Sequence, residues 1–279
     1  MDLASSKEIR QIFERYHVTA LKQLGQNFLV NKAVLDKIIK AADLKNTDTV
    51  LEIGPGIGIL TQELAKNAKL VIAVEKDRKM PEILKETLFG FKNVKIIPGD
   101  ILKTNLKSLG LKVGGYKLIA NLPYYITSPI IRMFLEAKEK PSEIVFMVQK
   151  EVGQRICAKP PEMNLLAVSI QFYAIPKIIN YVSKESFWPI PKVDSAIIKI
   201  TPKQKLKENV DEKLFFQIIK AGFSQPRKQL ANNLSKKLGL SKEKTTDWLN
   251  KNKILPEQRA ETLSIENWIN LTKSSLLFF

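Results

Sequence analysis

Five short apolar runs, spaced by polar or glycine-containing intervals, constrain this chain more than any other feature. They are Thr49-Val-Leu-Glu-Ile-Gly54, Leu70-Val-Ile-Ala-Val-Glu75, Val94-Lys-Ile-Ile97, Lys117-Leu-Ile-Ala120 and Ile144-Val-Phe-Met-Val148. Runs this short and apolar read as strands buried on both faces, and the intervals leave room for crossover helices, most clearly at 60–66 and 129–136. The pattern predicts an α/β fold with a mostly parallel sheet covered on both sides. Ahead of it, Ile9, Phe13 and Tyr16 share one face of a helix that starts after Ser5 or Ser6, and a second helix covers 32–42. Beyond 148 the rhythm changes. A helix is predicted over 149–158 and strands at 167–174 and 196–200, the second placed to close the sheet in antiparallel fashion. The Lys-rich stretch 201–212 reads as a linker into helices at 213–221, 227–238, 245–249, 256–263 and 265–271. Two domains are therefore expected, 1–202 and 203–279.

Charge narrows the partners. The 279 residues carry 45 Lys+Arg against 28 Asp+Glu, a net +17, where about 2 to 8 suffices for solubility. The excess calls for a polyanion, with nucleic acid first, although a solvated Lys-rich surface would look the same. It is divided almost equally between residues 1–175 and the much shorter 176–279, so the C-terminal segment is the denser positive field and suits a helical module gripping a phosphate backbone. One cysteine, Cys157, allows no internal disulfide, and one histidine, His17, leaves little for a His-based triad or zinc site. No metal is expected. The N-terminus has acidic residues and no apolar core, and no stretch approaches the roughly 18 apolar residues of a membrane span. A soluble, cytoplasmic protein with no membrane partner is expected.

The chemistry starts at the end of the first strand. Glu52-Ile-Gly54-Pro-Gly56-Ile-Gly58 provides a tight strand-to-helix turn where backbone can approach a ligand closely, and Glu75, at the end of the next strand, suits a carboxylate that accepts from ribose hydroxyls. Ile59 stands where a dinucleotide fingerprint has its third glycine. The spacing instead resembles that of S-adenosylmethionine-dependent methyltransferases. Asp100 is then placed to accept from the adenine amino group, or simply to cap the turn that follows it. Asn121-Leu122-Pro123-Tyr124 follows the fourth strand and resembles the Asn/Asp-Pro-Pro-Tyr signature of enzymes that methylate exocyclic amines of bases. An adenine N6 lone pair is delocalised into the ring. The Asn121 side-chain carbonyl and the Leu122 or Pro123 backbone carbonyl can accept its two protons and favour a nucleophilic nitrogen, while Tyr124 stacks on the displaced base. A Pro-Tyr strand terminator is the structural alternative.

Taken together, the motifs resemble the bacterial ribosomal small-subunit adenine dimethyltransferase family from about Leu24 to about Leu263. The matching pieces are Gly25-Gln-Asn-Phe-Leu29, Leu51-Glu-Ile-Gly-Pro-Gly-Ile-Gly-Ile-Leu-Thr61, Asn121-Leu-Pro-Tyr-Tyr-Ile-Thr-Ser-Pro129, Met147-Val-Gln-Lys-Glu-Val-Gly-Gln-Arg155, Pro189-Ile-Pro-Lys-Val-Asp-Ser195, Phe223-Ser-Gln-Pro-Arg-Lys228 and Arg259-Ala-Glu-Thr-Leu263. The resemblance implies a Rossmann-like class I methyltransferase domain with a smaller C-terminal helical domain that recognises RNA. It implies S-adenosylmethionine as cofactor, S-adenosylhomocysteine as product, and N6-dimethylation of two adjacent adenosines in the hairpin loop near the 3′ end of 16S rRNA, in immature 30S particles, by a monomer. Asn27 and Leu29 would line the cofactor entrance, Gly54 would contact its methionine portion, Glu75 the ribose, Asp100 the adenine, and Asn121 both cofactor and target. Arg227, Lys228, Lys236 and Lys237 are candidates for RNA phosphates. Adenine methylation of large-subunit RNA, or RNA binding without catalysis, are the alternatives. Tyr125, Pro226 and the segment 160–165 depart from the family pattern.

Overall fold

The computed structural model describes residues 3–21, 25–203 and 210–275. Leu24 and half of the expected linker, residues 204–209, lie outside these residues. The elements run α1 (Ser6–Arg15), β1 (Phe28–Leu29), α2 (Lys32–Ala42), β2 (Thr49–Ile53), α3 (Ile59–Asn67), β3 (Leu70–Glu75), α4 (Met80–Thr87), β4 (Val94–Pro98), β5 (Lys117–Asn121), α5 (Thr127–Glu136) and β6 (Glu143–Gln149). They continue with α6 (Lys150–Ile156), α7 (Leu165–Tyr173), β7 (Ala174–Val182), β8 (Phe187–Trp188), β9 (Ser195–Pro202), α8 (Glu212–Gly222), α9 (Leu230–Leu238), α10 (Lys242–Lys251) and α11 (Ile265–Ser274). No helix among the described residues is long and apolar enough to cross a membrane.

The main sheet has the order β4-β3-β2-β5-β6-β9-β7. From β4 to β6 every pairing is parallel, and β9 joins β6 antiparallel, as the sequence pattern predicts. The central strands are apolar on both faces because helices cover both, which leaves ligand access to their carboxyl ends. A separate two-stranded pairing, Phe28↔Trp188 and Leu29↔Phe187, pins the N-terminal segment. Phe13 packs edge-on to both Phe28 and Trp188 at 5.3 and 5.5 Å.

The chain separates into two compact units, residues 1–153 with 176–202, and residues 154–175 with 203–279. The expected division at 202/203 is therefore corrected for 154–175, which packs with the C-terminal helices. Phe172 of α7 stacks on Phe215 of α8 at 4.2 Å, and Met163 N–H donates to the Glu261 carbonyl. The expected strand at 167–174 is the helix α7, begun by Asn164, whose side chain accepts from Ala167 N–H at 3.0 Å. Val168-Ser-Ile-Gln-Phe172 alternates apolar and polar residues over a stretch too short for that pattern to separate strand from helix. In the same region β7 is an addition to the expected strands, although its burial alternates along its length. So is α4 to the expected helices, with Pro81 in its first turn. The expected helix at 256–263 reduces to a single 3-10 turn at Ala260–Thr262, because the carbonyls of Pro256 and Gln258 accept from Ala231 and Leu230 at the start of α9. Within this unit Trp248 and Trp268 are fully buried, and Trp248 Nε1 donates to the Leu271 carbonyl and to Ser274 Oγ at 3.2 and 3.0 Å. Ser264 and Asn267 form a reciprocal cap on α11.

Gly56 shows how tightly the β2–α3 turn is built. Its φ is +58°, and a Cβ added there would sit 2.9 Å from the Phe28 ring. Gly56→Ala is expected to cost about 1–3 kcal/mol of stability through the combined backbone strain and overpacking. Urea denaturation checks this, and an unchanged midpoint would rule the close approach out.

Candidate active site

One solvent-open cleft of about 1050 Å³ lies at the carboxyl ends of β2, β3 and β5, and it gathers residues that are far apart in sequence. Asn27, Leu29, Gly54, Glu75, Asp100, Asn121, Leu122, Pro123 and Tyr124 all line it. Glu75 is buried at the end of β3. Its Oε2 accepts from Gly56 N–H at 2.9 Å and its Oε1 from Asp77 N–H at 2.7 Å. Burial raises its carboxyl above the ordinary value, and these amides offset part of the rise. Asp100 takes the capping role and also faces the cleft. Its Oδ1 caps the short 3-10 turn at Ile101–Lys103 by accepting from Leu102 N–H, and its Oδ2 pairs with Lys76 Nζ at 3.1 Å while the side chain faces the cleft. Burial alone would raise the Asp100 carboxyl, but Lys76 and the Leu102 amide outweigh it and hold it below the usual range.

The N-terminal segment is fastened across this cleft by side-chain amides. Gln26 Nε2 donates to Asp77 Oδ2 at 2.8 Å, and Asn121 Nδ2 donates to the Asn27 carbonyl at 3.1 Å. The second bond orients the Asn121 amide: its NH₂ is directed to the Asn27 carbonyl, and Oδ1 is the end that can accept from a ligand. Among the backbone carbonyls of the turn, that of Pro123 already accepts from Ile126 N–H at 3.2 Å, which makes the Leu122 carbonyl the less committed acceptor of the two. Tyr124 has its hydroxyl 2.9 Å from Ser195 Oγ.

Glu52 joins the site although the sequence motifs assign it no role. It lines the cleft but is only 1% exposed, and neither its Oε2 nor Thr61 Oγ1 has a hydrogen-bond partner of normal geometry. Burial pushes its carboxyl up to about 8, with Thr61 offsetting part of the shift and the Glu75 charge adding to it. The available signal was an acid inside an otherwise apolar strand. The RNA-phosphate candidates lie in the other compact unit: Lys228, Lys236 and Lys237 line a polar groove there with Ser224, Gln225, Asn232 and Asn233. Arg227 does not line that groove.

A family model described as ribosomal RNA adenine dimethylase matches residues 18–275. The chain belongs to the ribosomal RNA adenine dimethylase family. A ribosomal RNA small subunit methyltransferase A from Dehalococcoides mccartyi is 49% identical, spanning 95% of this chain and 91% of its own length. A protein of the same name from Clostridioides difficile is 39% identical over 95% and 94%. Among solved structures, a dimethyladenosine transferase from Plasmodium falciparum superposes with a TM-score of 0.76 at 28% identity, covering 90% of this chain and 100% of that one. A 23S rRNA methyltransferase, ErmE, reaches 0.72 at 23% identity over 89% and 99%, a likeness of fold.

This rRNA adenine dimethylase is thus an S-adenosylmethionine-dependent methyltransferase with a Rossmann-like α/β domain and a C-terminal helical bundle. The cleft fits that cofactor. A side chain added at Gly54, where φ is +66°, would meet nothing within 4 Å, so the turn presents open backbone to a ligand. The orphaned Glu52 Oε2 calls for a donor, and an ammonium group such as that of a methionine moiety supplies one.

Glu52 also predicts a pH dependence. The folded protein retains a proton that the unfolded chain releases near the ordinary value of 4.5, so stability falls as pH rises from there to about 8 and levels off beyond. Glu52→Gln should flatten this stretch by a slope of up to roughly 1.4 kcal/mol per pH unit relative to wild type. Thermal melts across the range test it; parallel curves for the two proteins would exclude a neutral Glu52.

Proposed function

We propose that this enzyme dimethylates N6 of two adjacent adenosines in the hairpin loop near the 3′ end of 16S rRNA, acting on immature 30S particles as a monomer. The observation that carries the reaction type is the pair of acceptors at the cleft: Asn121 Oδ1, oriented by the bond its NH₂ makes to the Asn27 carbonyl, and the Leu122 carbonyl, less committed than that of Pro123. An adenine amine has two N–H groups, and donating both in hydrogen bonds to two acceptors concentrates electron density on nitrogen. Likeness to the small subunit methyltransferases, at up to 49% identity over nearly the whole chain, supports the choice of RNA. The large-subunit alternative rests on likeness of fold at 23% identity.

When bound, the cofactor supplies a sulfonium methyl: the N6–CH₃ bond forms as the S–CH₃ bond breaks, its electron pair stays on sulfur, and one N6 proton leaves to solvent. In this reading Glu52 and Glu75 hold the amino-acid and ribose portions, and Asp100 accepts from the adenine of the cofactor. Asn121 and Leu122 orient the target amine in line, and Tyr124 stacks under the target base. No side chain needs to act as general base, since the proton is acidic once nitrogen carries the new methyl. The groove formed by Lys228, Lys236 and Lys237, together with Arg227 nearby in sequence, grips phosphates, and selection falls to RNA shape and to loop bases ready to leave their stack.

Incubating the protein and labelled cofactor with naked RNA or with immature small-subunit particles, then mapping modified bases, tests the assignment. Dimethyladenosine in the 16S hairpin is the expected result; label confined to large-subunit RNA would reject it, and binding without transfer would point to an assembly factor. Asn121→Ala should reduce kcat by about 10²–10³-fold with RNA affinity retained, and turnover equal to wild type would remove its assigned role. Replacing Lys228, Lys236 and Lys237 by Gln should weaken RNA binding and reduce the salt slope by roughly 0.7–0.9 for each phosphate that is no longer neutralised. An unaltered slope would free that groove of RNA.

A further inference from the structure

A tyrosine at the end of a short turn can swing about χ1, and stacking a base on it requires that its plane be held. The bond that holds Tyr124 comes from a residue 71 positions away: its hydroxyl is 2.9 Å from Ser195 Oγ. Ser195 is fully buried and opens β9, paired with Gln149 at the end of β6, the strand whose Met147 carbonyl accepts from Leu122 N–H at 3.2 Å. Its neighbour Asp194 is fixed as well. The Asp194 carbonyl accepts from Lys150 N–H at 3.0 Å, and its Oδ1 accepts from Lys184 N–H at 3.2 Å. Ser195 is therefore set by two segments outside the Asn121–Tyr124 turn, 149–150 and the one at Lys184, and its hydroxyl transmits that position to the tyrosine ring. A hydroxyl buried this fully is destabilising unless it is bonded, so the pairing with Tyr124 is what makes serine suitable there.

We propose that Ser195 is a positioning residue whose hydroxyl fixes the Tyr124 ring beneath the target adenine, and that this hold governs the second methyl transfer more than the first. The inference rests on the reading of Tyr124 as the stacking platform. Its logic is a count of protons. The unmodified amine offers two N–H groups, one each for Asn121 Oδ1 and the Leu122 carbonyl. After one transfer and loss of a proton, a single N–H remains, so one acceptor loses its partner. Orientation of the monomethylated base then depends more heavily on the plane against which it stacks. A ring released from Ser195 would still bind the unmodified adenine, pinned by two hydrogen bonds, but would misplace the monomethylated one.

The test uses the full-length protein with immature small-subunit particles and nucleoside mass spectrometry to measure N6-methyladenosine against N6,N6-dimethyladenosine. Ser195→Ala and Tyr124→Phe should each raise the mono- to dimethyl ratio about three- to tenfold, the loss expected from one hydrogen bond, while calorimetric cofactor affinity stays at the wild-type value. Ser195→Thr should restore the ratio, and the double variant Ser195→Ala with Tyr124→Phe should be no worse than either single one, because both remove the same bond. A wild-type ratio in Ser195→Ala, or multiplicative effects in the double variant, would overturn the proposal. If Ser195→Ala does not fold, Tyr124→Phe tests the same bond from its other end, and a wild-type ratio there overturns it equally. Full activity in Tyr124→Ala would overturn the platform reading itself; an inactive Tyr124→Ala beside a normal Ser195→Ala would overturn the Ser195 assignment alone.

Discussion

The buried carboxylate of Glu75 organises the whole cleft. Its two oxygens accept from Gly56 N–H in the glycine turn and from Asp77 N–H just beyond β3, so one side chain fixes the geometry of two loops. From Asp77 the order passes to Gln26, whose amide donates to Asp77 Oδ2, and so to the segment that carries Asn27. The Asn27 carbonyl then holds the Asn121 NH₂ and turns Oδ1 toward the cleft. A residue expected only to meet a ribose thus also sets the orientation of the group expected to meet the target amine. Each Glu75 oxygen retains a second lone pair, so these structural bonds leave it able to accept from ribose hydroxyls.

Two buried acids at the same end of the sheet have opposite consequences. Glu75 is surrounded by backbone N–H groups that compensate much of its burial, whereas Glu52 on the adjacent strand has none and is driven toward its neutral form. A ligand that brings a positive charge to Glu52 would reverse that preference, since an opposite charge within a few ångströms favours the ionised carboxyl. On the proposed reading, in which Glu52 meets the amino group of the cofactor, binding and deprotonation of Glu52 would be coupled, and the ligand would relieve the cost of burying this acid.

The sheet and the cleft were legible in the sequence for the same reason: both depend on local signals. Strands buried on two faces are written as continuous apolar runs, and the residues at their carboxyl ends are brought together by the fold itself, so Gly54, Glu75, Asp100 and Asn121 converge. What escaped were features that depend on packing. In the run 167–174, Ser169 and Gln171 alternate with Val168, Ile170 and Phe172 as they would in a strand, and the Asn164 cap is the local signal for helix. Residues 154–175 join the second unit because Phe172 and Tyr173 pack against α8, a relationship between segments 40 residues apart that no local pattern encodes. The Ser195–Tyr124 bond is hidden for the same reason. Of the departures from the family pattern, Tyr125 is 54% exposed and lines the cleft beside the acceptors, and Pro226 lies in the loop before α9, where the neighbouring Gln225 carbonyl accepts from Lys228 N–H and Asn233 Nδ2.

The loop around Pro226 also bears on how a +17 chain avoids gripping RNA indiscriminately. Asn233 is buried, and its side-chain amide donates to the carbonyls of Gly222 and Gln225 at 2.7 and 3.0 Å, fastening the loop to α9. Lys228 on the loop and Lys236 and Lys237 on the helix are consequently presented with fixed spacing along one groove. Pro226 stiffens the same loop through its locked φ while removing a backbone donor. Lysines distributed at random over a surface would bind any phosphate chain equally well. On the proposed reading of this groove, anchoring their backbones on a fastened loop and helix would favour an RNA whose fold matches that spacing and make affinity from charge sensitive to RNA shape.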